Sequence, residues 1–396
     1  MKDTRRTSRR LAGILAFTTA IAAAENVRAA EWQVEMVDQS GSAHFTSLRV
    51  DKNGNVHVAY VPDAEGHPLK YAYRDRTSGK WFNMTITGVA SFSTLTLDSK
   101  QRPLISFADH GAGLGCKLRY AQWDGTAWKV VPINIQTGAV VAYYTGIALD
   151  ANDKPFFSFY DYADPGNNFR LRMRSVFWVN DHFEARTIDA QGGSGKFNVA
   201  AIDSKGRPQV AYANVKYETA GLRYAIWNGS SWETEILEGN AGPTPLFSVG
   251  MVLDKNDTPH IAYSLTETGT IKYATKVGKN WVTQAVDRVR QVAYPDRNGI
   301  AVDPQGNPCI SYYDAQQGAL KVACRQNNKW LVETLDTNSS GFTSSLAIDN
   351  GTLWVAYADE MGKSLKVAHR PLAPAAVSLE GTMASTKEGV RKDPGK

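Results

Sequence analysis

Two histidines, a pair of tyrosines and a knot of arginines give this 396-residue chain its capacity for chemistry. His110 follows an aspartate in FADHGAGLGC, His44 stands just before FTSLRVD, and Tyr143 and Tyr144 lie side by side in AVVAYYTG. Arg288, Arg290, Tyr294 and Arg297 crowd RVRQVAYPDRNG, and Asp161 lies in FYDYADPGNN. Guanidiniums pair with carboxylates, phenol faces stack on sugar rings, and imidazole exchanges protons near neutral pH. Gathered around one opening, such groups suit an anionic or hydroxyl-rich ligand. If an Arg or a His neutralises a uronate carboxylate, Tyr144 or His110 is the base that removes the proton it acidifies.

These residues are conspicuous because the chain around them repeats. An Asp closing a short strand-like run recurs at Asp51, Asp98, Asp150, Asp203, Asp254, Asp303 and Asp349, spaced by 47, 52, 53, 51, 49 and 46 residues. That periodicity marks seven structural units. Each holds four parts: a run such as FTSLRVD, a short turn such as KNGN, a second run with Pro at its start (PQVAY, PHIAY, PCISY), then a third run (LKYAYRD, LRYAQWD) and a Trp-led fourth. Pro at a strand's first residue, and Asp124-Gly125 or Asn228-Gly229 between the third and fourth runs, are strand and hairpin signals. In the third unit Phe183 replaces the Trp.

The seventh unit lacks its fourth run, since LKVAHRP passes into PLAPAAVSLEGTMASTKEGVRKDPGK without Trp or strand pattern. EWQVEMVD, residues 31–38, reads like the missing piece: it matches KWLVETLD and NWVTQAVD, which close other units. The expected fold is therefore all-β, a seven-bladed β-propeller of four-stranded antiparallel blades over residues 30–370, its ring closed by the N-terminal strand. Residues 371–396 read as a disordered tail.

Repetition also supplies a control. A residue present in every unit is structural, and one that departs from the pattern is a candidate. His44 and His110 have no counterparts, and the equivalents of the RVRQVAYPDRNG loop are free of Arg. Asp161 shares its place with Asp109, Asp314 and Asp359, where an Asp starting a turn is the plainer role. The aromatic ending the second run (Tyr60, Phe107, Phe159, Tyr212, Tyr263, Tyr312, Tyr357) reads as packing. Strand direction places the uniform first-to-second turns on face two and the longer, irregular loops on face one, where function is expected.

The repeat over residues 31–370 resembles those of secreted bacterial β-propellers, a group with lectin-like and sialidase-like members. The resemblance implies fold and carbohydrate recognition. WDGTAW at 123–128 stands where sialidase-like propellers carry an Asp-box turn, but the Ser-x-Asp-x-Gly-x-x-Trp pattern is absent, so sialidase catalysis is not carried over. The Arg, His and Tyr set is similar to that of certain seven-bladed polysaccharide lyases. That likeness implies catalytic roles for His110 and Tyr144, beside ligand-binding His44, Tyr143, Asp161, Arg288, Arg290, Tyr294 and Arg297. Glycan binding is the leading expectation, a lyase the second, and a scaffold for protein partners the third.

Residues 1–29 have the form of a secretory signal: basic KDTRRTSRR, apolar LAGILAFTTAIAAA, then small residues around Val27-Arg28-Ala29. Export to the periplasm or the extracellular space follows. Without that segment, which holds six Lys/Arg and two Asp/Glu, the formal charge drops from +5 to +1. A neutral body argues against nucleic acid, and no run is long enough for a membrane span. The seven His are scattered without ligand spacing, so no metal is expected, and no cofactor-attachment motif is present. Cys309 and Cys324 are equidistant from a hairpin turn between Gln316 and Gln317. They form a cross-strand disulfide or remain two buried thiols, and Cys116 stays free.

Overall fold

A computed structural model describes residues 31–111, 116–135, 141–162, 171–216, 219–239, 247–266, 268–289, 298–337, 341 and 343–372. The expected signal segment lies outside them, and so does the expected tail from residue 373 on; its first two residues belong instead to the fold, Pro371 pairing with Thr352 at the end of the last strand and Leu372 donating its main-chain N–H to the Gly351 carbonyl at 2.7 Å. Among the described residues there are 28 strands and no α-helix, paired into seven four-stranded antiparallel sheets. Blade one is β2 (Ala43–Val50), β3 (Val56–Pro62), β4 (Leu69–Arg74) and β5 (Trp81–Thr87), and blades two to six repeat that succession. Blade seven takes β26 (Ser344–Asp349), β27 (Thr352–Asp359) and β28 (Ser364–Pro371) from the end of the chain and its outer strand, β1 (Gln33–Asp38), from the beginning. Val34 lies opposite Ala368 and Met36 opposite Lys366, so the first strand does complete the last blade.

Why these runs become blades follows from their patterning. Second strands are buried from end to end, as in Val56–Pro62 and Pro208–Asn214, because blades pack on both of their faces. Fourth strands alternate exposed and half-buried residues, as expected at an outer edge. The apolar residues form seven clusters, each with its own leading aromatic: Trp81, Trp128, Phe183, Trp232, Trp281, Trp330 and Trp32. The cluster between blades seven and one joins Val37 to Leu48, Val58 and Tyr60, so the two chain ends share a core. The recurring turn aspartates are structural: Asp51 Oδ1 accepts the main-chain N–H groups of Asn53 and Asn55, each at 2.8 Å, and Asp303 repeats this with Gln305 and Asn307.

The aromatic that ends each second strand does more than pack. Asp38 Oδ2 accepts from Tyr60 at 2.6 Å and from Lys70 at 2.5 Å, both in blade one. Asp189 takes Tyr212 at 3.0 Å and Arg223 at 2.9 Å, and Glu238 takes Tyr263 at 2.7 Å and Lys272 at 2.5 Å. Asp287 receives Tyr312 at 2.7 Å and Asp336 receives Tyr357 at 2.9 Å. In each case the acid lies at or one residue before the end of an outer strand, and the tyrosine belongs to the following blade. At the two interfaces where Phe107 and Phe159 replace tyrosine, Thr87 and Asn134 replace the acid. There Arg119 and Arg174 turn to the carboxylates of their own blades, Asp109 and Asp161. Phenol and carboxylate are present together or absent together, which is how a buried hydroxyl avoids going unpaired.

β1 carries a second carboxylate across the closing interface. Glu35 accepts from Trp81 Nε1 at 2.6 Å, Arg74 Nε at 2.9 Å and His369 Nε2 at 3.0 Å. Burial raises its pKa, but the hydrogen bonds from His369, Arg74 and Trp81 outweigh burial and hold it at about 2. Asp38 is lowered in the same way, burial being opposed by Lys70, Tyr60 and Ser40. Both acids protonate near their ordinary values, roughly 4, in the unfolded chain. Their contribution is therefore fully present above that range and is lost as pH falls toward 2. Thermal melts should show the parent losing stability progressively below about pH 4.5, with a shallower decline in Glu35→Gln. Identical acid slopes in the two proteins would contradict this account of the closure.

Candidate functional site

The seven first strands surround a central channel of about 540 Å³. The strands converge closely there. A Cβ on Gly250 would run into the main-chain oxygen of Asn298, and one on Gly299 into Ser311 Oγ. Toward face one the strands share a bulge. Phe45, Phe92, Tyr144, Phe197 and Ser248, at equivalent positions, have φ of 53°, 55°, 52°, 52° and 66°. Pairing with the second strand shifts at the same places, for instance between His44 and Ser47 and between Tyr143 and Gly146.

Left-handed backbone at an aromatic residue costs of order 1–3 kcal/mol, and a bulge re-aims the side chain that carries it. Here the rings meet in a row across four blades: Phe45 to Phe92 at 4.7 Å, Phe92 to Tyr144 at 4.4 Å, Tyr144 to Phe197 at 4.7 Å. The first three are partly exposed and Phe197 is buried. Tyr143 sets its ring edge-on to Phe92 at 5.6 Å, and Tyr162, which is 42% exposed, lies 5.8 Å beyond Tyr143.

Four of the residues expected from the sequence join this row. His44 lies 6.2 Å from Phe45, with Nε2 3.9 Å from Glu360 Oε1, and His110 lies 6.4 Å from Tyr143. His44, Tyr143 and Tyr144 are within strands, not in loops before them, because pairing resumes beyond the bulge: His44 faces Val61 and Tyr143 faces Tyr160. Asp161 is 1% exposed, and its Oδ2 holds Arg172 Nε at 3.0 Å and Arg174 Nη1 at 3.4 Å. Arg288 is exposed at the end of β21 (Asn280–Arg288), where its Nε donates to the Thr268 carbonyl at 3.2 Å. Arg290, Tyr294 and Arg297 lie outside the described residues. Cys309 and Cys324 face each other across β23 (Pro308–Asp314) and β24 (Ala319–Gln326) and are joined at 2.05 Å, with Cys116 free.

Ser91, which the sequence does not single out, and Cys116, expected there only as a free thiol, complete the surroundings of His110. Ser91 Oγ is 2.5 Å from Nε2, and Cys116 Sγ is 3.0 Å from Nδ1. Cys116 also hydrogen-bonds Tyr143. Burial raises the thiol pKa more than that bond lowers it, so the sulfur keeps its proton at neutral pH. Tyr143 is pushed up to about 12, first by its bond to Cys116 and then by burial. Burial lowers His110 below the ordinary histidine value, with Asp109 opposing and His67 adding to the shift. The cluster is thus a neutral imidazole flanked by a thiol, a serine and a phenol, which is suited to hydrogen bonding more than to nucleophilic attack.

No family model and no curated protein matches the chain by sequence. Among solved structures its fold is similar to that of a PL25 ulvan lyase, with TM-score 0.56 and 13% identity over 86% of this chain and 95% of that one. It is also similar to a Hadza microbial sialidase, with TM-score 0.51 and 10% identity over 80% and 76% of the two chains. The endosialidase of phage phi92 matches with TM-score 0.50 and 9% identity over 92% and 72%. At such identities the likeness is one of fold, and the class it defines with the seven sheets is the seven-bladed β-propeller.

Because burial is the first cause of its shift, His110 should titrate below the free-histidine value of about 6.5. Nitrogen-15 NMR should find it neutral at pH 7. Cys116→Ala should move that midpoint while leaving the imidazoles of buried His57 and His260 unchanged, and a His110 midpoint above 7 would contradict the cluster's electrostatics.

Proposed function

We propose that this chain is an exported carbohydrate-binding propeller that takes a glycan, acidic by preference, on face one. The observation that carries the reading is the row of partly exposed rings Phe45, Phe92 and Tyr144, carried on positive-φ bulges near the starts of the first strands and extended by Tyr143 and Tyr162. Sugar rings present apolar C–H faces that stack on such a platform, while hydroxyls bond to the polar groups at its edge. His44 and His110 border the row. Arg288, exposed at the end of β21, adds a positive charge that favours an acid. The similarity in fold to a polysaccharide lyase and two sialidases supports a carbohydrate over other ligands.

Binding fits the geometry better than turnover. Both imidazole nitrogens of His110 lie against partners, Ser91 and Cys116, and the Tyr143 phenol holds its proton to about 12. The lyase reading retains one support: a neutral imidazole and the Tyr144 phenol border the same row, where base and proton donor would stand. In it, His110 or Tyr144 takes the proton alpha to a uronate carboxylate.

A glycan array followed by calorimetry separates the two. Phe92→Ala and Tyr144→Ala should each weaken binding by roughly 1–3 kcal/mol without changing the fold, and Arg288→Ala should weaken acidic ligands in a salt-dependent way. No unsaturated product should form from any uronate polysaccharide. Product formation that His110→Ala or Tyr144→Phe abolishes would establish the lyase reading, and unchanged glycan affinity in both ring variants would remove the platform.

A further inference from the structure

Arg49 is the one charged residue among those lining the central channel. It lies in β2 two residues before the turn aspartate Asp51, toward face two. The repeat shows how unusual it is, since the other blades have Thr96, Ala148, Ala201, Val252, Ala301 and Ala347 at that position, all lining the same channel. Six small or apolar side chains leave open space beside a single guanidinium.

No carboxylate neutralises that guanidinium among the described residues. Its hydrogen bond runs from Nη1 to the main-chain carbonyl of Leu48, at 2.7 Å. The buried arginines elsewhere behave differently: Arg174, Arg223 and Arg370 hold Asp161, Asp189 and Glu333. Arg49 is accessible to the channel space, yet the surrounding protein removes enough bulk water to lower its pKa. Arginine remains charged under such conditions, so the channel holds a positive charge that no carboxylate among the described residues pairs. A planar guanidinium with free N–H groups selects a planar or tetrahedral oxyanion. Thr96 and Ser345, which also line the channel, add hydroxyls.

We propose that the channel is a binding site for one oxyanionic group, a carboxylate or a sulfate, held by Arg49. Its volume of about 540 Å³ lies within the range of small-ligand sites. Four residues of strand separate Arg49 from Phe45, about 13 Å at the usual rise, so this site is distinct from the aromatic row and does not depend on the carbohydrate reading. The anion is either a free inorganic ion or the acid group of a small sugar.

The test is calorimetric titration of the whole chain with sodium sulfate and with sodium glucuronate, at constant ionic strength, beside Arg49→Met and Arg49→Lys. The parent should bind at least one probe saturably, Arg49→Met should lose about tenfold or more in affinity, and Arg49→Lys should fall between. Tighter binding of sulfate identifies an inorganic anion as the source, and tighter binding of glucuronate a sugar acid. Anomalous scattering from bromide-soaked crystals of the parent, which needs no variant to fold, should place an ion against Arg49. Absence of saturable binding, equal affinity in parent and Arg49→Met, or no bromide at Arg49 would overturn the proposal.

Discussion

The interface between blades seven and one is the constraint on which the rest of the ring depends, because there the chain must find its own beginning. Two interactions meet in β1. Its backbone pairs with β28 and so belongs to blade seven, while its acids Asp38 and Glu35 reach Tyr60, Lys70, Arg74 and Trp81 in blade one. Sheet pairing completes the blade, and the shared apolar core with Leu48, Val58 and Tyr60 sets it against the next. With the carboxylates added, the strand joins both neighbours, and the channel acquires a fixed circumference. Every feature at the axis, from the bulged aromatics to Arg49, takes its position from that circumference.

The same phenol and carboxylate pairing recurs at four further interfaces and lapses where Phe107 and Phe159 stand. At those two interfaces Tyr71 packs against Trp128 and Tyr120 against Phe157 and Phe183, beside hydrogen bonds such as Ser93 Oγ to the Phe45 carbonyl at 2.8 Å and Thr94 Oγ1 to the Thr145 carbonyl at 2.6 Å. Their basic residues are satisfied within the blade by Asp109 and Asp161. The candidate site lies over this part of the ring. Its Asp161 serves the blade's own charge balance, and the surface of the candidate site is left to aromatic rings and the His110 cluster.

Much of this was legible in the sequence. A period near fifty, Pro at strand starts and a Trp-led run at the N-terminus specify seven blades and their closure, since each signal is local or repeats at fixed spacing. The tyrosine and acid pairing was also present, in two columns some twenty residues apart, but tyrosine in a buried column reads as packing until its hydroxyl is seen to have a partner. The aromatic row was harder. Phe45, Phe92, Tyr144 and Phe197 align in one column, yet the positive-φ bulge that carries their rings into one row leaves no mark on residue type. Ser91 and Cys116 approach His110 from a different strand and across a loop, a meeting that no spacing encodes.

The most direct test of the closing interface is a double-mutant cycle on Asp38→Ala and Tyr60→Phe, read by denaturant unfolding at pH 7. Hydrogen bonds to buried charged groups contribute roughly 1.5–3 kcal/mol, so the two changes should be non-additive by about 1 kcal/mol or more, the second costing little once the first is made. Strict additivity, with each change acting as though the other partner were absent, would show that Asp38 and Tyr60 do not fasten blade seven to blade one.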